Sequence, residues 1–357
     1  MAKATFLESI DYASQISRPD IAVRSYFSLA ELIYEVFKDL NLAESYTRQG
    51  LELATDIKSL EDQYSLYELL YRIESKRKNF NTLDVDKGAP LKGKLLIQMF
   101  EKSSTRTRLS FYLAIRQLGG SALTLRPDEL HLAKGESLPD TAKILSTFGN
   151  AFMLRTDSDN KLQEFKKYIS IPIINGLSPS SHPTQVLSDI FTVEEITKKP
   201  ISKLEICWIG DPNNNVINSL IESSVKFSFK LNIGCPVNYK PKKELLNWAK
   251  KNNGKISVYN DSTKAAKGCD VVFTDKVISM NDKVNKNKKL KDFKKFQVNS
   301  NVMSYAKKNA IFLHCLPRGS EVSNEVFLSK KSKVWQQAEN RIHVQKSILL
   351  YCFDKLR

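Results

Sequence analysis

From residue 91 onward, short apolar or β-branched runs alternate with amphipathic helical patterns, and this alternation leaves few folds open. KLLIQMF is followed by TRTRLSFYLAIRQL, which Gly119 and Gly120 end; SALTLR by SLPDTAKILSTF; then AFMLR; and SIPIING by TQVLSDIFTVEEI. A strand that returns in parallel needs a crossover of about a dozen residues or more, and helices of this length supply it. The predicted architecture is therefore a parallel sheet covered by helices. A second series begins after Lys198, Lys199 and Pro200, running LEICWIG, VINSLIESSVKF, FKLNIGC, KKELLNWAKK, KISVYN, CDVVFTD and AIFLHCLP. The sequence thus predicts an α/β chain with two doubly wound parallel-sheet domains, over 88–198 and 199–335. SKVWQQAENRIHVQKSILLYCF reads as a final helix, and 336–357 is predicted to return to the first of these domains.

Residues 1–87 read differently. Pro19 and Gly50 are the only breakers before Gly88, and seven of the chain's 13 tyrosines fall here. SLAELIYEVFKDL, AESYTRQGLELATDI and SLYELLYRIESKRK space apolar residues three and four apart, as amphipathic helices packed as hairpins do. A helical N-terminal extension is expected, either forming its own small core, packing on the first domain, or binding a protein.

No apolar run approaches the roughly 20 residues that cross a bilayer. Glu8, Asp11 and Asp20 fit neither a secretory signal nor an acid-poor transit peptide. The expectation is a cytoplasmic protein with no membrane partner. Cys207, Cys235, Cys269, Cys315 and Cys352 show neither CxxC nor zinc-type spacing, so neither a disulfide framework nor a metal site is expected. The formal charge of +16 comes from lysines scattered among Asn and Asp, without a stacking motif or basic helix. It points to solubility and attraction of small anions, not to nucleic acid.

Chemistry concentrates at the ends of strands. Glu101-Lys-Ser-Ser-Thr-Arg-Thr-Arg108 lies in the turn between the first strand and its helix. Such a turn presents unpaired N–H groups, to which Ser103, Ser104, Thr105 and Thr107 add hydroxyls. Lys102, Arg106 and Arg108 sit at the positive end of the helix dipole, unfavourable by on the order of a few tenths of a kcal/mol each unless an anion compensates. No acid occurs between Glu101 and Asp128. Taken alone, the cluster fits either a solvated basic helix start or an anion site.

His182-Pro-Thr-Gln185 repeats this arrangement, with Pro in the first turn and neutral His and Gln as donors suited to polarising a carbonyl; a plain helix cap is the alternative. Arg155 closes AFMLR, as a surface arginine or as a ligand group at a strand C-terminal end. Cys315 ends an apolar strand, where a thiol beside positive groups would partly ionise, or where it is buried and inert. Asp275 follows CDVVFTD's apolar core, as a cap or as a carboxylate for an ammonium group.

These strings resemble the transcarbamoylase family. Ser104 to Arg108 resembles its carbamoyl phosphate signature, which implies that Ser104, Thr105, Arg106 and Thr107 hold the phosphate. His182 to Asp189 resembles HPTQxxxD, implying that His182 and Gln185 contact the carbamoyl end. Arg155, and Arg341 of AENR, match ligand arginines of the family. Leu130 to Ser137 resembles the loop that reaches a neighbouring subunit's site, with His131 and secondarily Lys134 as its candidates. A homotrimer, or a multiple of trimers, with shared active sites is the implication.

His314-Cys-Leu-Pro317 resembles the ornithine branch and implies that Cys315 and Leu316 lie by the carbamoyl group and the attacking amine. Asp275-Lys-Val-Ile-Ser-Met280 resembles DxxxSM, implying that Asp275 pairs with the acceptor's ammonium while Ser279 and Met280 fix its backbone. Gly210-Asp-Pro-Asn-Asn-Asn-Val216 resembles GDxNNV with one residue more, so Asn215, and alternatively Asn214, is the acceptor contact. Val277 and Asn281 stand where the ornithine branch usually has Trp and Gly.

The resemblance covers about residues 88–357. It implies transfer of a carbamoyl group from carbamoyl phosphate to ornithine, giving citrulline and phosphate in arginine metabolism, with Arg106, His182, Cys315 and Asp275 catalytic. No metal or organic cofactor is implied. N-acetylornithine and putrescine are the rival acceptors, and a non-catalytic, anion-sensing scaffold is the rival class.

Overall fold

The computed structural model describes residues 2–15, 17–34, 40–56, 85–86, 88–129, 135–278 and 285–353. His131, Lys134, Ser279, Met280, Asn281 and the helical pattern SLYELLYRIESKRK lie outside the described residues.

The chain opens with helices α1 (Ala2–Gln15), α2 (Pro19–Leu32) and α3 (Leu40–Asp56). α2 starts nine residues before the predicted SLAELIYEVFKDL, because Pro19 sits in its first turn, where a fixed φ and a missing N–H cost nothing. Pro19 thus breaks the chain only in the sense of starting a helix. Leu29, Ala30, Ile33, Tyr34 and Ala43 form a small core of their own with Phe6, Ile10 and Tyr46. Val23, Leu51 and Ala54 pack in addition with Leu350 of the last helix. The extension therefore both closes on itself and docks on the chain's C-terminal end.

The first sheet contains β1 (Leu95–Phe100), β2 (Ser121–Leu125), β3 (Ala151–Arg155) and β4 (Ile173–Leu177), all parallel, in the order β2-β1-β3-β4. The helices between and after them are α4 (Thr105–Gln117), α5 (Leu138–Phe148), α6 (Asp159–Tyr168) and α7 (Pro183–Thr197). Alternation sends Leu96 to one core and Ile97 and Met99 to the other, so the sheet is buried on both faces. α6 carries no apolar periodicity in the sequence: only Leu162 and Phe165 are aliphatic or aromatic before its terminal Tyr168, and Phe165 alone is fully buried.

The second sheet contains β5 (Glu205–Ile209), β6 (Lys230–Gly234), β7 (Lys255–Tyr259), β8 (Val271–Thr274) and β9 (Ile311–His314), again parallel, in the order β7-β6-β5-β8-β9. Its helices include α8 (Asn215–Lys226), α9 (Lys243–Lys251), α10 (Ser262–Ala266), α11 (Lys286–Phe293), α12 (Ser300–Tyr305) and α13 (Asn324–Phe327). Ile206 and Trp208 enter one core while Cys207 and Ile209 enter the other. The last helix, α14 (Val334–Cys352), leaves this sheet and packs across α4 and α7, with Leu349 among Leu96, Phe111 and Ala114.

Both sheets reverse their strand order once, between β1 and β3 and between β5 and β8. A crevice opens outside the carboxyl ends of the strands at such a switch point, and ligands bind there. Ser104 to Thr107 lie where β1 leads into α4, and Arg155 ends β3; Asn214 and Asn215 lie where β5 leads into α8, and Asp275 follows β8.

Candidate active site

Two helix N-termini face this region without the usual caps. Ser104 at the start of α4 and His182 at the start of α7 make no side-chain capping bond, and neither first turn contains an acid. His182 thus holds the cap position of α7, with Pro183 in the first turn, but its side chain makes no capping bond. Its ring lies 94% buried and only Nδ1 approaches a neighbour, Thr184 Oγ1, at 3.5 Å.

Thr107 Oγ1 gathers two guanidinium groups, accepting from Arg341 Nη2 at 2.7 Å and from Arg155 Nη1 at 3.4 Å. Arg341 Nη1 also donates to Gln185 Oε1. Arg106 joins from the first turn of α4 and donates Nη2 to the Leu316 carbonyl at 2.6 Å. Arg155 and Arg341 are buried, and the Nε atoms of both have no hydrogen-bond partner. Burial, and then the Arg106 charge, lower Arg155 to about 10. Burial likewise lowers Arg341 to about 10, partly offset by Asp189. His182 is driven well below its ordinary value by burial and by the three arginines, so its imidazole is neutral. Buried like charges with idle donors define a site that an anion completes.

Opposite the arginines stand the acidic and sulfur groups. Cys315 Sγ–H donates to Asp275 Oδ1 at 3.0 Å, and Asn214 Nδ2 donates to Asp275 Oδ2 at 3.3 Å. Of the two readings open for Cys315, partly ionised or buried and inert, its surroundings oppose the first. Burial and the adjacent Asp275 carboxylate push the thiol well above its ordinary value despite Arg106. The group is a thiol donor. Asp275 is no helix cap either, since its oxygens are spent on Cys315 and Asn214.

Asn214 caps α8, its Oδ1 accepting from Val216 and Ile217 N–H, so one side chain joins the helix start to Asp275. Asn215 commits Nδ2 to the Ser178 carbonyl at 3.1 Å, which leaves Oδ1 as the acceptor it can offer. Thr105 is exposed, while Thr107 in the same turn is fully buried.

Asp189, which ends the HPTQxxxD string, and several residues that the sequence did not single out hold these groups in place. Asp189 Oδ1 accepts from Gln185 Nε2 and Gln337 Nε2, both at 2.7 Å. Gln337 Oε1 in turn accepts the His314 backbone N–H at 3.0 Å. Gln337 precedes Arg341 by one helical turn, and that i, i+4 spacing was the available signal. The loop before His182 is pinned to α8: Asn218 Nδ2 donates to Ser180 O at 3.1 Å, and Ser219 Oγ accepts the His182 N–H at 2.8 Å. Among the described residues no cluster of three His, Cys, Asp or Glu side chains is placed to hold a metal. No described helix is long and apolar enough to cross a membrane.

Comparison with known proteins decides what this crevice belongs to. The carbamoyl-phosphate-binding domain of the aspartate/ornithine carbamoyltransferases matches residues 53–195, and the aspartate/ornithine-binding domain matches 202–352. The chain belongs to the aspartate/ornithine carbamoyltransferase family. It is 42% identical over 265 residues to the ornithine carbamoyltransferase of Agrobacterium fabrum, covering 74% of this chain and 86% of that one. With the ornithine carbamoyltransferase of Methanobrevibacter smithii, identity is 43% over 268 residues, 73% of this chain and 88% of the other. The ornithine carbamoyltransferase structure from Pyrococcus furiosus superposes with a TM-score of 0.72 at 34% identity, over 86% of this chain and 94% of that one. The anabolic ornithine carbamoyltransferase of Campylobacter jejuni gives 0.70 at 39% identity, over 75% and 90%.

The carbamoyltransferase match begins at residue 53, well before the boundary at 88 inferred from motifs, and so takes in the pattern SLYELLYRIESKRK. Val277, at the position where Trp is usual in the ornithine branch, is buried in the core with Phe293, Phe296 and Val302.

Proposed function

We propose that this chain transfers the carbamoyl group of carbamoyl phosphate to the terminal amine of L-ornithine, releasing L-citrulline and phosphate. The observation that carries the reading is the cluster of Arg106, Arg155 and Arg341 at two uncapped helix starts, facing the Asp275 and Cys315 pair. A phosphate dianion supplies the missing countercharge. Ser104, Thr105, Arg106 and Thr107 bind it, with Arg155 and Arg341 behind them.

The carbamoyl carbonyl then points toward His182 and Gln185. A neutral imidazole stabilises oxyanion charge as it develops by donating a hydrogen bond, without adding a fixed cation to a crowded cationic site. The neutral amine attacks the carbonyl carbon, a tetrahedral intermediate forms, and the C–O bond to phosphate breaks. The proton lost from nitrogen leaves with the phosphate, so no covalent enzyme intermediate is needed. Asp275 and Cys315 orient the amine, and Asn215, Ser279 and Met280 hold the acceptor's backbone. Fixing both reactants replaces an encounter with an effectively intramolecular step.

The same reading places the reaction in arginine metabolism and the protein in the cytoplasm, as a homotrimer in which His131 reaches a neighbour's site. Support for the trimer is the resemblance of residues 130–137 to the family's intersubunit loop. Steady-state assay with a panel of amines tests the acceptor: ornithine should exceed N-acetylornithine and putrescine by about tenfold or more in kcat/KM. A different preferred amine overturns the acceptor assignment, and no carbamoylated product with any amine overturns the reaction. Sedimentation equilibrium tests the trimer.

A further inference from the structure

Leu316 adopts φ +59°, a left-handed backbone that a branched L-residue holds only when its surroundings impose it. Its carbonyl is the group that receives Arg106 Nη2 at 2.6 Å. The other side of the same residue is held by His314: the Leu316 N–H donates to His314 Nδ1 at 2.8 Å.

His314 is itself fixed on three sides. Its backbone N–H donates to Gln337 Oε1 at 3.0 Å, and Nε2 lies 2.9 Å from Glu321 Oε1. Both His314 and Glu321 are buried, at 1% and 3% exposure. Because Nδ1 accepts, the ring proton is on Nε2, which donates to Glu321; an imidazolium would set one N–H against another. Glu321 also accepts the Gly319 N–H, and a Cβ at Gly319 would stand 2.8 Å from Glu321 Oε2. The loop from 314 to 321 is thus folded around one neutral imidazole.

We infer that His314 is a positioning residue of the carbamoyl site, acting through the Leu316 backbone that its Nδ1 locks in place. The inference rests on the carbamoyl-transfer reading. His314 acts at one remove: it sets where the Leu316 carbonyl stands, and so where Arg106 finds its acceptor. Misplacing a site group by about 1 Å costs on the order of a hundredfold in rate.

Two substitutions separate the ring's two bonds. His314→Asn places an amide oxygen near the former Nδ1 and keeps the Leu316 acceptor, whereas His314→Gln reaches Glu321 and loses it. The expected result is kcat within about threefold of wild type for Asn, and a loss of on the order of tenfold to a hundredfold for Gln. The carbamoyl phosphate KM should rise with Gln while the ornithine KM stays put. Gln at wild-type kcat and KM, or Asn and Gln falling together in step with their melting temperatures, overturns the role. If neither variant folds, ¹⁵N shifts of His314 in the wild-type protein decide: a neutral Nε2–H ring supports the assignment, and an Nδ1–H or doubly protonated ring overturns it. Wild-type turnover tests the carbamoyl-transfer reading separately; if it fails, the Asn and Gln contrast is read by calorimetry of carbamoyl phosphate binding.

Discussion

The thiol of Cys315 donates to the carboxylate of Asp275 across 3.0 Å, joining the end of β9 to the end of β8. Enclosure and the neighbouring negative charge both disfavour the thiolate. Iodoacetamide at pH 8 should therefore alkylate Cys315 more slowly than a free thiol. Asp275→Asn removes the charge and should speed the reaction by roughly threefold to tenfold, followed by mass spectrometry of the Cys315 peptide. A wild-type rate equal to that of a model thiol would reject the upward shift of the Cys315 thiol.

Arg155 shows what the arginine cluster costs and why it persists. Its nearest partner is Thr107 at 3.4 Å, its Nε has none, and Arg106 repels it. Arg155→Met should leave the unliganded protein as stable as wild type or more so. Carbamoyl phosphate and inorganic phosphate should bind about tenfold to a hundredfold more weakly, because a charge-assisted hydrogen bond of ~1.5–3 kcal/mol is lost. Calorimetry and thermal melts with and without phosphate measure both halves. Undiminished phosphate binding would remove Arg155 from the site.

How much of this was legible in the sequence follows from the range of each signal. β3 was readable to the residue, because Ala151 to Arg155 is an apolar run closed by a charge. α6 was not, because one buried Phe165 makes no periodicity. The helix start at Thr105 was readable from local hydroxyls and charges. That Thr107, Gln185 and Arg341 touch was not, since the contacts span 156 and 234 residues. Only family resemblance joined them. The extra residue in Gly210 to Val216 left Asn214 and Asn215 open; the fold makes Asn214 the cap that also reaches Asp275. The choice between an ionised and an inert Cys315 stayed open because the sequence shows neither the burial nor the Asp275 carboxylate that keep the thiol protonated.

Asp189 yields a prediction in pH. Burial raises its carboxyl to about 6, against donors from Gln337 and Gln185. The native state then binds this proton more tightly than the unfolded chain. Its contribution to stability is complete below the unfolded value near 4 and is lost as pH rises through about 6. Asp189→Asn keeps an acceptor oxygen and abolishes the titration. Wild-type minus variant unfolding free energy should fall by about 3 kcal/mol between pH 3.5 and 7, measured by urea unfolding. A difference that is flat in pH would contradict the buried, elevated carboxyl.

His182 responds in the opposite sense. Burial comes first and the charges of Arg341, Arg155 and Arg106 follow, all lowering its pKa. The unfolded chain takes up this proton near pH 6.5 while the native ring stays neutral, so the stability tied to His182 is present above that pH and lost below it. A bound phosphate neutralises part of the arginine field without altering the burial. Titrating the His182 ring resonances should show a neutral imidazole at pH 6 in the free protein, and an upward shift of its pKa when phosphate is added. The direction follows because the ligand cancels the secondary cause and leaves the first. No shift on saturating phosphate would mean that the anion settles out of electrostatic reach of His182, and the arginine cluster and the His182 ring would then belong to separate sites.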